Sequence, residues 1–400
     1  MRHRAVLLSA LLAFSLVGGV AAPAAGQQAN GESYAGTHVE FRTTGSSVAD
    51  YAVGGDVLVE NVSVQSASEA RNQAGVGLDA SLESTTDFRA AGLQLASSAS
   101  ASATVEVQSG AEMQAHDNSR GVLQVRASDG AQVVTADLGD GSEASAEGDD
   151  GKRVVVSNDD GSQGTFIVVG DGEVVVDENG DVTAEIKQDS QLVYRQYQEE
   201  RSDSDEEAER MIENGTATAE VYVQAGQSEG ESAAEDGQNA TVQTVKYGQD
   251  TTVEVADRSR DRLNVTVERS QSQGKVVLAT LSEAAFENAQ DVQVTVDGEA
   301  AAQADSYGAV EQSAREGDEP RYYVEQSSSA EATTDVAVGI DHFSARNVVL
   351  SSADGSQQTD DGSGDDGSDG SGDTDADGAG FGVLGALAAL AAALIAARRP

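Results

Sequence analysis

The chain has 400 residues, of which 69 are acidic and 24 are basic, so its formal net charge at pH 7 is −45. Phosphate binding depends on Lys and Arg, so this balance excludes a nucleic-acid-binding protein. The chain contains no cysteine, which excludes disulfides, cysteine-ligated metals and cysteine nucleophiles. Tryptophan is absent and aromatic residues make up 4%, so we expect a core built mainly from Val, Leu, Ile and Ala.

The first 26 residues have the three parts of a secretory signal peptide. Arg2 and Arg4 precede an uncharged stretch over residues 5–20, and small residues follow up to Gly26. We expect cleavage after Ala24 or after Gly26, so that the chain is exported.

Apolar and polar residues alternate through much of the interior, which is typical of half-buried strands. The clearest alternating segments are residues 62–64, 105–107, 123–125, 221–223, 253–255, 263–267, 292–296 and 336–340. Residues 166–186 are predicted to form consecutive hairpins, with Asp-Gly and Asn-Gly pairs at the turns. The sequence therefore predicts a mainly β fold of antiparallel β-sandwich or meander regions. A β-solenoid is the alternative for the N-terminal half, over residues 50–190.

A few short helices are expected between the strands, over residues 204–214, 282–288 and 306–316. In the first, Ser204 and Glu207 are predicted to form a capping box, and Gly215 is predicted to end the helix. Gly317 is predicted to end the third.

We expect six consecutive regions along the chain. These are a signal peptide (1–26), an N-terminal β-rich region (27–197), an acidic helical connector (198–217), a C-terminal β-sandwich-like domain (218–350), a disordered Asp/Gly/Ser tether (351–380) and a transmembrane or sorting segment (381–400).

The last two regions predict a membrane anchor. Residues 351–378 contain nine aspartates and no basic residue, a composition that favours an extended tether. Residues 381–397 are uncharged, and 17 residues is the short limit for a helix that spans a bilayer. Arg398 and Arg399 are expected to hold the end of this helix on the cytoplasmic side.

The acidic composition, with only four lysines, resembles that of proteins from extremely halophilic archaea, in which molar salt screens surface charge. The acidic linker, Ala379-Gly380-Phe381, the apolar helix and the terminal arginines resemble the PGF-CTERM sorting signal of haloarchaeal surface proteins. The resemblance covers about the last 25 residues. It implies that an archaeosortase-like enzyme cuts near the motif and replaces the helix with a lipid. Because Ala379 stands where the family has proline, a retained transmembrane helix is the alternative.

Four Asn-X-Ser/Thr sequons are candidate glycosylation sites, at Asn61, Asn214, Asn239 and Asn264. Alternation places Asn61 and Asn264 on the polar sides of their strands, Asn61 together with Ser63 and Gln65.

Other motifs provide weak support for a reaction or a metal site. His38, His116 and His342 are not at metal-ligand spacing, and residues 373–378 match only the first half of a calcium loop. Asp341, His342 and Ser344 suggest a hydrolase triad, but adjacent strand residues are expected to point apart. The sequence therefore predicts no enzyme, no catalytic or metal-binding residue and no cofactor.

These features predict a glycosylated, halophilic ectodomain anchored at its C-terminus to the outer face of the cell membrane. A structural or adhesive role is expected, with the membrane, the processing enzyme and cell-envelope or S-layer components as partners. An anchored ligand-binding protein is the alternative, and a surface hydrolase is third. A large pocket lined by His, Asp or Tyr would favour these two alternatives.

Overall fold

The structure of the protein, a computed structural model, describes residues 31–73, 90–99, 101–225, 240–317, 319–326 and 332–353. Several predicted features lie outside these residues: the signal peptide, Asn239, the half calcium loop, Ala379, Gly380, Phe381, Arg398 and Arg399. In the part of the chain that is described, no helix is long and apolar enough to cross a membrane.

The N-terminal half consists of short antiparallel strands, as the alternating sequence predicts. They are β1 (Ser33–Ala35), β2 (Val39–Thr43), β3 (Ser47–Val53), β4 (Asp56–Ser66), β5 (Leu93–Ala99), β6 (Ser102–Val107), β7 (Ala111–His116), β8 (Leu123–Ala127), β9 (Gln132–Leu138), β10 (Ser142–Glu147), β11 (Arg153–Asn158), β12 (Gln163–Val169), β13 (Gly172–Val176), β14 (Val182–Ile186) and β15 (Gln191–Tyr197). A short helix, α1 (Ala67–Gln73), follows β4.

These strands form two sheets that enclose a common core. The order in the first sheet is β1-β2-β3-β4-β9-β14-β13, and in the second it is β10-β11-β12-β15-β8-β7-β6-β5. Side chains from both sheets, such as Val64 and Phe166, pack in one apolar cluster between them. Every strand pair described here is antiparallel, so this half is sandwich-like and does not form the solenoid that was the alternative.

The predicted run of consecutive hairpins is only partly correct. β13 and β14 form a hairpin, and Gly180 in its turn has φ +90°, which glycine adopts without a Cβ clash. β12, however, belongs to the other sheet. The chain crosses between the two sheets at Gly170–Gly172, where both glycines have positive φ.

The C-terminal half contains a second pair of sheets. Its strands are β16 (Ala217–Ala225), β17 (Ala240–Lys246), β18 (Thr251–Arg258), β19 (Arg262–Arg269), β20 (Gln273–Ser282), β21 (Val292–Val296), β22 (Glu299–Ala300), β23 (Ala302–Gln303), β24 (Arg321–Gln326), β25 (Thr333–His342) and β26 (Ala345–Ser352). One sheet has the order β17-β16-β20-β25-β24-β23 and the other β18-β19-β26-β21-β22. A second apolar core, which includes Val265 and Phe286, lies between them. β26 extends two residues into the region predicted as tether.

Two further helices interrupt the strands. In α2 (Asp203–Glu213) the capping box consists of Ser202 and Asp205, so the predicted pair Ser204 and Glu207 was wrong. α3 (Tyr307–Glu316) begins after its N-cap Ser306 and ends at Gly317, as predicted. The predicted helix over residues 282–288 does not form: this segment is a turn that leads to a 3₁₀ turn, Ala289–Asp291.

The two sandwiches are joined by a third apolar cluster. It contains Ile167 from β12, Val193 from β15, Tyr222 from β16 and the α2 residues Met211 and Ile212. On β12, Phe166 and Val168 face the first core whereas Ile167 faces this one. The strands of the two middle sheets that meet here, such as β12, β15 and β16, are therefore buried on both faces, and all described residues belong to one compact unit.

Candidate functional site

The interface between the sandwiches holds a buried ion pair. Arg195 on β15 and Glu220 on β16 are each 2% exposed, and the guanidinium contacts both carboxylate oxygens, at 3.0 and 3.3 Å. The Tyr247 hydroxyl also donates to Glu220, at 2.6 Å. Burial is the main reason that the pKa of Tyr247 lies well above its ordinary value, so this hydroxyl stays protonated and continues to donate.

Further ion pairs surround this contact. Arg120 lies 2.7 Å from a carboxylate oxygen of Asp205 and 3.4 Å from one of Asp335, and its guanidinium stacks over the Tyr197 ring. The Tyr197 hydroxyl donates to Glu209 of α2 at 2.7 Å. These residues come from the N-terminal sandwich, α2 and the C-terminal sandwich, so charge pairing holds the three parts together.

Asp117, in the loop between β7 and β8, connects the sandwiches through two groups. Its carboxylate accepts hydrogen bonds from the backbone N–H groups of Thr37, His38 and Val39, at 2.6 to 2.8 Å. Its backbone carbonyl accepts hydrogen bonds from the side-chain amides of Gln224 on β16 and of Gln243 on β17. Asp117 therefore fixes the loop between β1 and β2 and also contacts the second sandwich.

His116, which precedes Asp117, is buried and electrically neutral at pH 7. Burial lowers its pKa to about 4, and the nearby positive charges of Arg126 and Lys246 act in the same direction, although a hydrogen bond with Gln124 opposes them. Its Nε2 lies 3.2 Å from Gln124 Oε1. This histidine, 4% exposed, has a structural role beside the interface.

A cleft of about 370 Å³ opens beside these contacts, between the two sandwiches. It is lined by residues of the β1–β2 loop, the β7–β8 loop, β16, β20 and the start of β25, namely Thr37, His38, Ser119, Tyr222, Val223, Gln224, Ala225, Thr280, Ser282, Glu283, Ala284, Ala332 and Thr333. The exposed residues Ala225 and Ala332 adjoin segments outside the described residues. The volume falls within the range of small-molecule sites.

The accessible lining of this cleft is mainly apolar and is poorly suited to catalysis. Six lining residues carry hydroxyl groups, and apart from Tyr222 the ionisable ones are His38 and Glu283. Gln224 Oε1 is buried, and no donor in the described part of the chain reaches it. A buried acceptor without a partner costs free energy.

The predicted triad residues meet in an unexpected way. Asp341 and His342 were expected to point apart, but Asp341 Oδ2 lies 2.6 Å from His342 Nδ1. His342 is exposed and is the last residue of β25, where the sheet no longer fixes the direction of a side chain. Arg346 contacts the other ring nitrogen, and no hydrogen bond among the described residues joins Ser344 to His342. This contact is therefore a surface ion-pair cluster.

Three predicted sequons lie on described residues. Asn61 is half-buried on β4, and Asn264 is half-buried on β19 and accepts a hydrogen bond from the side chain of Asn347 at 2.7 Å. Asn214 caps the C-terminus of α2. Gln65, predicted on the exposed side together with Asn61, is instead fully buried.

Most residues of the interface and cleft could not be recognised from sequence. β15 is buried along its whole length although Arg195 and Gln196 lie within it, and polar residues in a strand ordinarily indicate a solvent-facing side. Of the histidines considered, only His38 lines the cleft. A signal was present in residues 191–197, where tyrosines and polar residues do not follow a simple alternation.

In the described segments, no group of three or more His, Asp or Glu residues could hold a metal ion. No protein-family model matches the chain, and no curated protein matches it significantly.

Proposed function

We propose that this protein is an anchored ectodomain on the outer face of the cell membrane, with a structural or adhesive role in the cell envelope. The observation that carries the proposal is the way in which the sandwiches are locked together. Buried pairs such as Arg195–Glu220 and a shared apolar cluster bind them into one unit, which suits a rigid spacer. The signal peptide and the C-terminal segment supply the export and the anchor in this proposal.

Salt tolerance and glycosylation fit the same role. A net charge of −45 favours a protein that works in molar salt, where the Debye length is about 3 Å. Glycans on the sequons at Asn61, Asn214, Asn239 and Asn264 are part of the proposal. Envelope or S-layer components are the proposed partners, and the proposal includes no enzymatic activity and no cofactor.

The test compares the full chain with a variant that stops at Gly380. We expect the full chain to be cut by protease added to intact cells and to be extracted with the membrane, and the shortened variant to appear in the medium. Intact mass of the extracted protein then distinguishes a lipid near Gly380 from a helix retained through Pro400. Protease-resistant protein in the cytoplasm, with Met1 still present, would contradict the proposal.

A second candidate function, an anchored ligand-binding protein, is favoured by one observation. The cleft between the sandwiches has the volume of a small-molecule site and is lined by His38, Tyr222 and Gln224. The two functions are compatible, because a rigid spacer could also carry a binding site.

A further inference from the structure

We propose that the acidic residues 354–361 dock on the turn between β18 and β19, which carries three arginines. We call it the arginine turn, and it is defined by Arg258, Arg260 and Arg262. The docked segment belongs to the same chain and lies outside the described residues. The proposal concerns how the predicted tether leaves the second sandwich, and it does not depend on surface display.

The arginine turn concentrates positive charge in an acidic protein. Three of the chain's 24 basic residues lie there within five positions, and all three are exposed. Neither Arg260 nor Arg262 forms an ion pair with another described residue. These two guanidinium groups are therefore available to a carboxylate from elsewhere in the chain.

Acidic residues beside the turn balance its formal charge without pairing with these two arginines. Asp257 and Asp261 lie in the same segment, and the backbone N–H of Glu287 donates to the Arg260 carbonyl at 2.5 Å. The carboxylate of Asp261 instead accepts a hydrogen bond from the Ser259 hydroxyl at 2.6 Å. The turn is thus about neutral in a chain of net charge −45, which makes it an attractive position for a further carboxylate.

The chain leaves the second sandwich beside the arginine turn. Arg262 lies opposite Ser351 in the pairing of β19 with β26, and the Ser352 N–H donates to the Asp261 carbonyl at 2.9 Å. The preceding residue of β26 and the following residue of β19 face the core, so Arg262 and Ser351 lie on the outer face of the sheet. The segment that follows Ser352 therefore starts next to the turn.

The first aspartates after β26 can reach the arginines without any change in the sandwich. They are Asp354, Asp360 and Asp361, the last of them nine residues beyond Ser352. An extended chain spans about 3.3–3.6 Å per residue, so all three carboxylates stay within about 30 Å of the point of exit. So short a connection gives an effective concentration on the order of millimolar. Proximity and opposite charge together favour this segment over a second copy of the chain.

The test takes advantage of the absence of cysteine from the chain. In the full chain, Ser259→Cys and Gln358→Cys place one thiol in the arginine turn and one in the docked segment. Equilibration with glutathione then measures the effective concentration of one thiol at the other. Thermal unfolding shows whether each variant is folded.

Two sets of substitutions are compared in this two-cysteine protein. The first removes the charge of the turn and consists of Arg258→Gln, Arg260→Gln and Arg262→Gln. The second is the matched control and consists of Arg315→Gln and Arg321→Gln. The control arginines are also exposed, and neither forms an ion pair with another described residue.

We expect the effective concentration to fall by about threefold or more when the three arginines are replaced, because exposed pairs are individually weak and three act together. It should not change in the control. Because salt screens exposed charges, the fall should be larger at the lowest salt at which the protein is folded than at about 1 M. If the triple variant does not fold, Arg260→Gln with Arg262→Gln should give a smaller fall in the same direction.

Charge reversal provides a second test. Replacement of the three arginines by Glu should lower the effective concentration further, and replacement of the three aspartates by Lys in the same protein should restore it.

Three results would overturn the proposal. The first is an equal effective concentration in the two-cysteine protein and its triple arginine variant. The second is a disulfide-linked dimer that depends on the arginines, which would identify a second copy as the occupant. The third is arginine-dependent sedimentation with phosphatidylglycerol vesicles at an unchanged effective concentration, which would identify lipid phosphate. None of these results affects surface display.

Discussion

Removal of one partner of the buried ion pair should destabilise the whole unit. Arg195→Met leaves the Glu220 carboxylate buried, with the Tyr247 hydroxyl as its remaining hydrogen-bond donor at 2.6 Å. Loss of a bidentate contact of two charge-assisted bonds costs about 3–6 kcal/mol at 1.5–3 kcal/mol each. This agrees with about 3–5 kcal/mol for a broken buried pair, a large part of a total stability of about 5–15 kcal/mol.

The assay is equilibrium unfolding by denaturant, at fixed molar salt, for a double-mutant cycle. Glu220→Leu combined with Arg195→Met should cost less than either single change, because no charge is then left buried. Arg42→Met is the control, since Arg42 and Asp50 form an exposed pair whose loss should cost about 0–1 kcal/mol.

Two results would refute this reasoning. Single variants that cost less than about 1 kcal/mol would mean that water reaches the pair and solvates the remaining charge. Additive costs in the double variant would mean that Arg195 and Glu220 stabilise the protein through other contacts.

Three further predictions concern particular side chains. Burial lowers the pKa of His116 from its ordinary value of 6.5 to about 4 in the folded protein. The stability that its neutral ring contributes is therefore complete above pH 6.5 and is lost as the pH falls toward 4. The substitution His116→Gln should remove about 3 kcal/mol of this pH dependence, as denaturant unfolding at several pH values would show. Asn264→Gln should remove one glycan by mass spectrometry and change stability little, whereas Val265→Asp places an unpaired carboxylate in the second core and should unfold it, as circular dichroism would show. In Gly36→Ala the new Cβ would lie 2.3 Å from the carboxylate carbon of Asp117, and the free energy of unfolding measured by thermal melts should fall by about 1–3 kcal/mol. Gly308→Ala has space within α3 and should be neutral or stabilising in the same assay.

The positions of many strands, and the side chains that they bury, could be predicted because alternation of apolar and polar residues reflects a strand with one buried face. In β19, Leu263, Val265 and Val267 are buried and Asn264 and Thr266 are half-buried, as the pattern predicts. The prediction was less complete for β12 and β15, which face apolar clusters on both sides. A strand with two buried faces has no polar side to mark its register.

Local signals also determined which helices could be predicted. Ser306 and Gly317 bound α3 at the expected places. In residues 282–288, the apolar residues Ala285 and Phe286 pack in the second core, and the backbone there forms turns instead of a helix. A turn therefore buries the apolar residues whose spacing had predicted a helix.

The cleft depends on contacts between residues far apart in the chain, which no local pattern records. The carbonyl of Asp117 meets Gln224 and Gln243, 107 and 126 residues later. Each of these residues is ordinary for a loop or for the polar side of a strand. Only the packing of one sandwich on the other makes them a site.

The position of β26 has a consequence for the order in which the protein can fold. β26 ends at Ser352 and pairs with β19 on one side and β21 on the other, so the last of the described strands to be synthesised occupies the middle of its sheet. Until it has been synthesised, the apolar side chains of β19 and β21 lack Val348 and Leu350, their partners in the second core. Closure of the second sandwich must therefore wait for synthesis of residues 345–352, and the acidic residues of the chain can keep unfinished chains apart in the meantime.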